Sequence, residues 1–166
     1  MAKVGLIMGS KSDLEIVKEC INTLDSFGVE SDVIISSAHR TPEQTIEWTK
    51  SAKSKGISVI VAFAGAAAHL AGVVASKTNL PVIAVPIAST TLGGLDSLLS
   101  SVQMPGGIPV ATMAIGKAGA KNAALYACQI LALNNEELYN KLEVYRKTMA
   151  ENIEKDNKSV KDMLSK

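Results

Sequence analysis

The sequence predicts an open parallel α/β sheet with helices on both faces. Short, nearly continuous Val/Ile-rich runs are the first sign, as expected of strands covered on both sides. The second is helical periodicity in the segments between those runs, an alternation typical of a parallel sheet. Length is the third. The 166 residues suit one domain, 1–166, with a core over about 3–135 and a helical extension over about 136–166. At this size folding buries roughly 70% of the unfolded chain's surface, so no metal or disulfide is needed for stability.

The elements follow in order. VGLIM (4–8) is the first strand. Leu14, Val17, Cys20, Ile21 and Leu24 then recur at helical spacing up to Phe27-Gly28. VIIS (33–36) is the second strand. TPEQ follows, with Thr41 as N-cap, Pro42 at the first helical position and Gln44 closing a capping box; this helix runs to about Lys55-Gly56. ISVIVAF (57–63), PVIAVP (81–86) and IPVATMAI (108–115) are three more strands. Short helices are expected after residues 68 and 95, and a longer one over 119–133. The tail is one amphipathic helix with Leu138, Leu142, Tyr145, Met149 and Ile153 along a narrow stripe. It suits packing on its own domain or on a neighbouring subunit.

Composition excludes several classes. Net charge is +1 with both signs mixed, which offers no footprint for nucleic acid or a membrane surface. Aromatic residues make up only 4%, too few for base-stacking platforms. Cys20 and Cys128 show no CxxC spacing and read as buried thiols. No signal peptide or membrane span is legible, so a cytoplasmic protein is expected.

In such sheets ligands bind beyond the carboxyl ends of the strands, so the loops there carry the chemistry. The first is GSKSD (9–13). Ser10, Ser12 and Asp13 precede a helix whose first N–H groups are free, a natural phosphate site. Asp13 would oppose a phosphate and suits ribose hydroxyls; capping by Ser12 or Asp13 is the plainer alternative. The second loop is SSAHRTP (36–42), which spends one of only two His and one of only two Arg on adjacent positions. Arg40 can clamp a phosphate, Ser37 can add a hydroxyl, and His39 can carry a proton either way near neutral pH. The alternative is an exposed histidine and an Arg40–Glu43 surface pair. The third loop is AGAAAHLAG (64–72). Its small residues, Gly65 among them, let a planar base lie against the backbone. His69 is a second polar group or a hydrogen-bonded core or cap residue. Finally, Gly93-Gly94 and Pro105-Gly106-Gly107 bracket a short helix within STTLGGLDSLLSSVQMPGG, as in a loop that folds over a site or reaches a neighbour's. Two ordinary turns are the alternative.

No Ser-His-Asp set, dinucleotide fingerprint or P-loop is present, and two His without an acidic or Cys cluster argue against a metal. A sugar-phosphate ligand, one mobile proton and a shielded pocket are what these loops suggest.

GSKSD, SAHRTP, AGAAAHL and LDSLLSSVQMPGGIPVATMAIG, in this order, resemble the 5-(carboxyamino)imidazole ribonucleotide mutases of purine biosynthesis, also called the phosphoribosylaminoimidazole carboxylase catalytic subunit. The resemblance covers residues 3 to about 135. It implies a flavodoxin-like three-layer α/β/α sandwich, a homo-octamer with sites at subunit contacts, and no cofactor or metal. It implies that Ser10, Ser12, Asp13, Ser37 and Arg40 hold the ribose phosphate, with Asp13 on the ribose and Gly65 lining the imidazole. His39 would be the acid/base; His69 would bond the carboxylate or order water. An ATP-dependent synthetase that makes the carbamate is the implied pathway partner. Ala66 and Ala71 stand where Gly and Pro are commoner in that pattern, small changes that bear on pocket shape. A sister branch carboxylates aminoimidazole ribonucleotide with free carbon dioxide, but His69 within AAAHL resembles the mutase branch. A nucleotide-phosphate sensor would need Arg40 and GSKSD but have no use for His39. A flavin protein would need aromatic residues near these loops, and a response regulator an acidic cluster.

Overall fold

The computed structural model describes residues 3–165; the outermost limits of the expected domain, residues 1, 2 and 166, lie outside the described residues. Five parallel strands form one sheet in the order β2-β1-β3-β4-β5. They are β1 (Lys3–Met8), β2 (Ser31–Ile35), β3 (Ile57–Gly65), β4 (Val82–Ile87) and β5 (Ala111–Thr112). The helices are α1 (Leu14–Ser26), α2 (Pro42–Ser51), α3 (Leu70–Ala75), α4 (Leu95–Val102), α5 (Lys117–Ala132) and α6 (Glu136–Leu164). Strand order and layers are those of the expected flavodoxin-like sandwich.

Alternation along the strands divides the core. Val4, Leu6, Val59, Val61, Phe63, Ile83 and Val85 pack with α1 and α5 on one face. Ile7, Ile60, Ala62, Val82 and Ala84 pack with Trp48 of α2 and with Leu70 and Val74 of α3 on the other. Gly5 makes room for that tryptophan: a Cβ there would lie 2.8 Å from Trp48 Cη2. Cys20 and Cys128 are fully buried in the first layer, as the sequence suggested. Burial pushes the Cys20 thiol up to about 12 and that of Cys128 to about 11, so both stay protonated and inert.

Helix ends follow local chemistry. α1 stops at Phe27, and Gly28 takes a left-handed φ of 73° while its N–H bonds Asp25 O at 2.9 Å. Pro42 does open α2, but the expected capping box does not form. The Thr41 hydroxyl turns away from α2 and accepts the Ser37 N–H at 2.9 Å, closing the loop before the helix. Gln44 points to Ser36 instead.

Two further expectations need correction, and the tail gains detail. β2 is an edge strand covered on one side only, with Val33 and Ile35 exposed. The fifth strand pairs over two residues rather than eight, because Pro109 lacks an N–H and the chain beyond Thr112 bonds β4 irregularly, through Met113 N to Ala84 O and Gly116 N to Pro86 O. The tail is one helix of 29 residues, as expected, and its start packs on this chain. Leu138 and Leu142 are buried, and Tyr145 meets Phe27 edge-on at 5.6 Å. Met149 and Ile153 are exposed. Among the described residues, no helix is long and apolar enough to cross a membrane.

Ala66 is the one non-glycine described with a positive φ, 54°, in the loop after β3. A Cβ is disfavoured in that conformation, whereas glycine adopts it freely. Ala66→Gly should therefore stabilise the fold by about 0.5–1 kcal/mol, after allowance for the greater freedom of an unfolded glycine. A rise in the urea midpoint at constant m would show it; a fall would mean the φ is not strained.

Candidate active site

The parallel register brings the carboxyl ends of β1, β2, β3 and β4 to one edge. There a cavity of about 300 Å³ opens among Gly9, Ser10, Ser12, Asp13, Ser37, Ala38, His39, Arg40, Ala64, Gly65, Leu70 and Ser89. All six expected binding residues and His39 line it. A larger cavity of about 680 Å³ lies among Lys77, Pro81 and Tyr126 at the other end of β4, away from both histidines.

The first loop is a 3-10 turn rather than a direct entry into α1. Ser10 caps that turn by accepting the Ser12 N–H at 3.3 Å. The Ser12 hydroxyl lies 2.9 Å from Ser10 Oγ and 3.2 Å from Asp13 Oδ1. Asp13 occupies the N-cap position of α1 without capping it, so its carboxylate is left to face the cavity wall. Burial pushes the Asp13 carboxyl above its usual value, partly offset by the hydrogen bonds of Ser12 and Ser10 and by the Arg40 charge.

The second loop is shaped by hydroxyls. Ser36, buried, lies 3.2 Å from Thr41 Oγ1 and 2.8 Å from Thr45 Oγ1. Thr41 N in turn donates to Ser37 O at 2.9 Å. This tight turn projects His39 and Arg40 outward, both exposed. Arg40 does not pair with Glu43. Its Nη2 donates to Gly9 O at 2.6 Å and its Nε to Ser37 Oγ at 3.4 Å, so one guanidinium ties the first loop to the second. The fork keeps further N–H groups for an anion.

The third loop brings in His69. It stands at the N-cap position of α3 but does not cap it. Instead its Nδ1 lies 3.0 Å from His39 Nε2, with the rings edge-on at 89°. One of the facing nitrogens donates and the other accepts, so the two imidazoles share a proton position. Gly65 forms the floor. A Cβ on it would collide with the Ser89 side chain and lie 3.1 Å from Ile87 O.

Sequence reasoning missed Ser89 as a wall residue. It begins the STTLGG segment that stood out only for its glycines. The segment is tied down: Thr90 Oγ1 donates to Asp96 Oδ2 at 2.8 Å, and Ser97 Oγ to Ile87 O at 3.0 Å. Among the described residues, no group of three or more His, Cys, Asp or Glu is placed to hold a metal ion.

Known proteins resemble the chain along nearly its whole length. A family model described as AIR carboxylase matches residues 3–152. A protein of Pyrococcus horikoshii named N5-carboxyaminoimidazole ribonucleotide mutase is 54% identical over 160 residues, covering 96% of this chain and 89% of the relative. A Bacillus subtilis protein of the same name is 52% identical over 150 residues, 90% of this chain and 93% of the relative. The crystal structure of Treponema denticola PurE superposes with a TM-score of 0.87 at 30% identity, covering 96% of this chain and 98% of the other.

The buried Asp13 carboxylate has a folded-state value raised above the unfolded one, so its ionised form costs stability above that range. As pH falls through the raised value the cost disappears. Asp13→Asn should accordingly raise the thermal midpoint at pH 7, and the gain should vanish below the carboxylate range. A gain that persists at low pH would trace the effect to packing instead.

Proposed function

The chain belongs to the AIR carboxylase family, and we propose that it catalyses the reaction named for these relatives. It converts 5-(carboxyamino)imidazole ribonucleotide into 4-carboxy-5-aminoimidazole ribonucleotide, an intramolecular carboxyl transfer in purine biosynthesis. The His39–His69 pair carries the reading: His39 lines the cavity between an anion-binding corner and a small-residue floor, and His69, outside the lining, backs it at 3.0 Å. A phosphate sensor would need only the corner.

Arg40 and the hydroxyls of Ser10, Ser12 and Ser37 hold the phosphate. Asp13 takes ribose hydroxyls, which donate to its carboxylate. The imidazole lies against Gly65. Protonated His39 gives its proton to the exocyclic nitrogen as the carbamate C–N bond breaks, releasing carbon dioxide and neutral aminoimidazole. Ring carbon 4 attacks the trapped carbon dioxide, forming the new C–C bond. The carbon 4 proton returns to neutral His39, which closes the proton balance over the cycle. His69, bonded to His39, fixes its ring and can order water or the carboxylate. Trapping matters because carbon dioxide held beside its acceptor reacts at high effective concentration.

No metal or organic cofactor enters this scheme. We place the protein in the cytoplasm as a homo-octamer, fed by an ATP-dependent synthetase that makes the carbamate.

The direct test is an ultraviolet assay with freshly made 5-(carboxyamino)imidazole ribonucleotide, beside aminoimidazole ribonucleotide with bicarbonate. Conversion of the first at low carbon dioxide is expected; conversion of only the second would overturn the mutase reading. His39→Asn should bind ligand but lose turnover by about 10²–10⁴-fold, and near-normal turnover would remove His39 as the acid/base. Arg40→Ala should raise KM about 10–100-fold with a smaller change in kcat, the signature of lost uniform binding. An unchanged KM would take Arg40 out of the phosphate site.

A further inference from the structure

We infer that Ser89 reads the migrating carboxyl group: its hydroxyl donates a hydrogen bond to the carboxylate of substrate and product. The inference rests on the functional reading above.

Lateral order in the sheet sets the geometry. The phosphate corner belongs to the loops after β2 and β1, and Ser89 to the loop after β4. With strands about 4.8 Å apart, β1 and β4 are separated by about 10 Å, with β3 between them. That span suits a ribonucleotide lying across the edge. Its phosphate is then at β1 and β2, its ring over Gly65 at the end of β3, and its far edge at β4. Both carboxyl positions are on the C4–C5 side of the ring, C4 remote from the ribose-bearing nitrogen and C5, which carries the exocyclic amine, next to it. They sit on neighbouring ring atoms, so one fixed hydroxyl can serve the group before and after transfer.

Ser89 is held where this requires. Ile87, two residues earlier, pairs in register with Gly65. Its carbonyl accepts from Ser97 Oγ at 3.0 Å. On the other side Thr90 is fixed to Asp96 and accepts the Leu92 N–H at 3.2 Å. The Ser100 hydroxyl accepts the Ala68 N–H at 2.9 Å, which locks α4 to the loop after β3. Between these anchors the Ser89 hydroxyl lies against Gly65 in the cavity wall and makes no hydrogen bond to another described residue. A carboxylate is acceptor-only, so a free hydroxyl donor is the complementary group.

The test compares two ligands on Ser89→Ala. Ser89 is exposed, so the variant should fold, and an unchanged thermal midpoint would verify this. Calorimetry with the 4-carboxy ribonucleotide should show about a 10-fold or greater loss of affinity, and with aminoimidazole ribonucleotide no change. Turnover of the carbamate should fall about 10–100-fold in kcat/KM, with more aminoimidazole ribonucleotide escaping per turnover. Equal losses for both ligands, or none for either, would overturn the role of Ser89 while an active parent protein leaves the mutase reading standing. A parent protein that fails to convert the carbamate would overturn both.

Discussion

The parallel sense of the strands is the constraint on which everything else depends. Because β1 to β4 all run one way, loops distant in sequence leave from a single edge. Each helix return costs a dozen or more residues, and each return also buries one face of the sheet. The core and the site are therefore products of one topology. Packing of Val61 and Phe63 against α1 and α5, and of Ile60 and Ala62 against α2 and α3, fixes β3 from both sides. With β3 fixed, Gly65 has no freedom to move away from the ligand floor.

Within that frame the polar groups of the site satisfy one another only in part. Ser36, Thr41 and Thr45 form a closed hydroxyl set that shapes a loop and then has little left to offer a ligand. Arg40 is different. One donor secures Gly9 O, the very backbone turn from which Ser10 and Ser12 hang, and the others remain available. The same side chain thus builds the proposed phosphate corner and lines it. Asp13 is the costly member, a carboxyl group in a buried position that disfavours its charge. Such a cost is typical of a group selected for what it binds rather than for the stability of the free protein.

Much of this was legible because strong signals are local. Val/Ile runs gave the strands, Pro42 and Gly28 marked helix limits, and the loops after the strands held every group assigned to the site. What escaped was set by tertiary geometry. A Thr-x-x-Gln sequence matches a capping box, yet Thr41 spends its oxygen on Ser37, because the turn that carries His39 needed closing. His69 read as a second polar group of the site or as a core or cap residue, but its contact with His39, thirty residues away, comes only from the pairing of β1, β2 and β3. Ser89 was hidden for a similar reason, since its significance lies in the strand register that sets it against Gly65.

The remaining physical problem is water. Carbon dioxide released into an open cavity escapes, and His39, Arg40 and His69 are all exposed in the single chain. Among the described residues, no element covers them. The helix beside the site is itself unusual, for Leu95, Leu99 and Val102 on it, and Leu92 just before it, present apolar surface to solvent at 47–63% exposure. Such a strip next to a reaction that must exclude water is accounted for if other subunits of the proposed octamer close over both. On that view assembly and chemistry are one requirement: the chain supplies the proton, the phosphate corner and the floor, and its neighbours supply the lid.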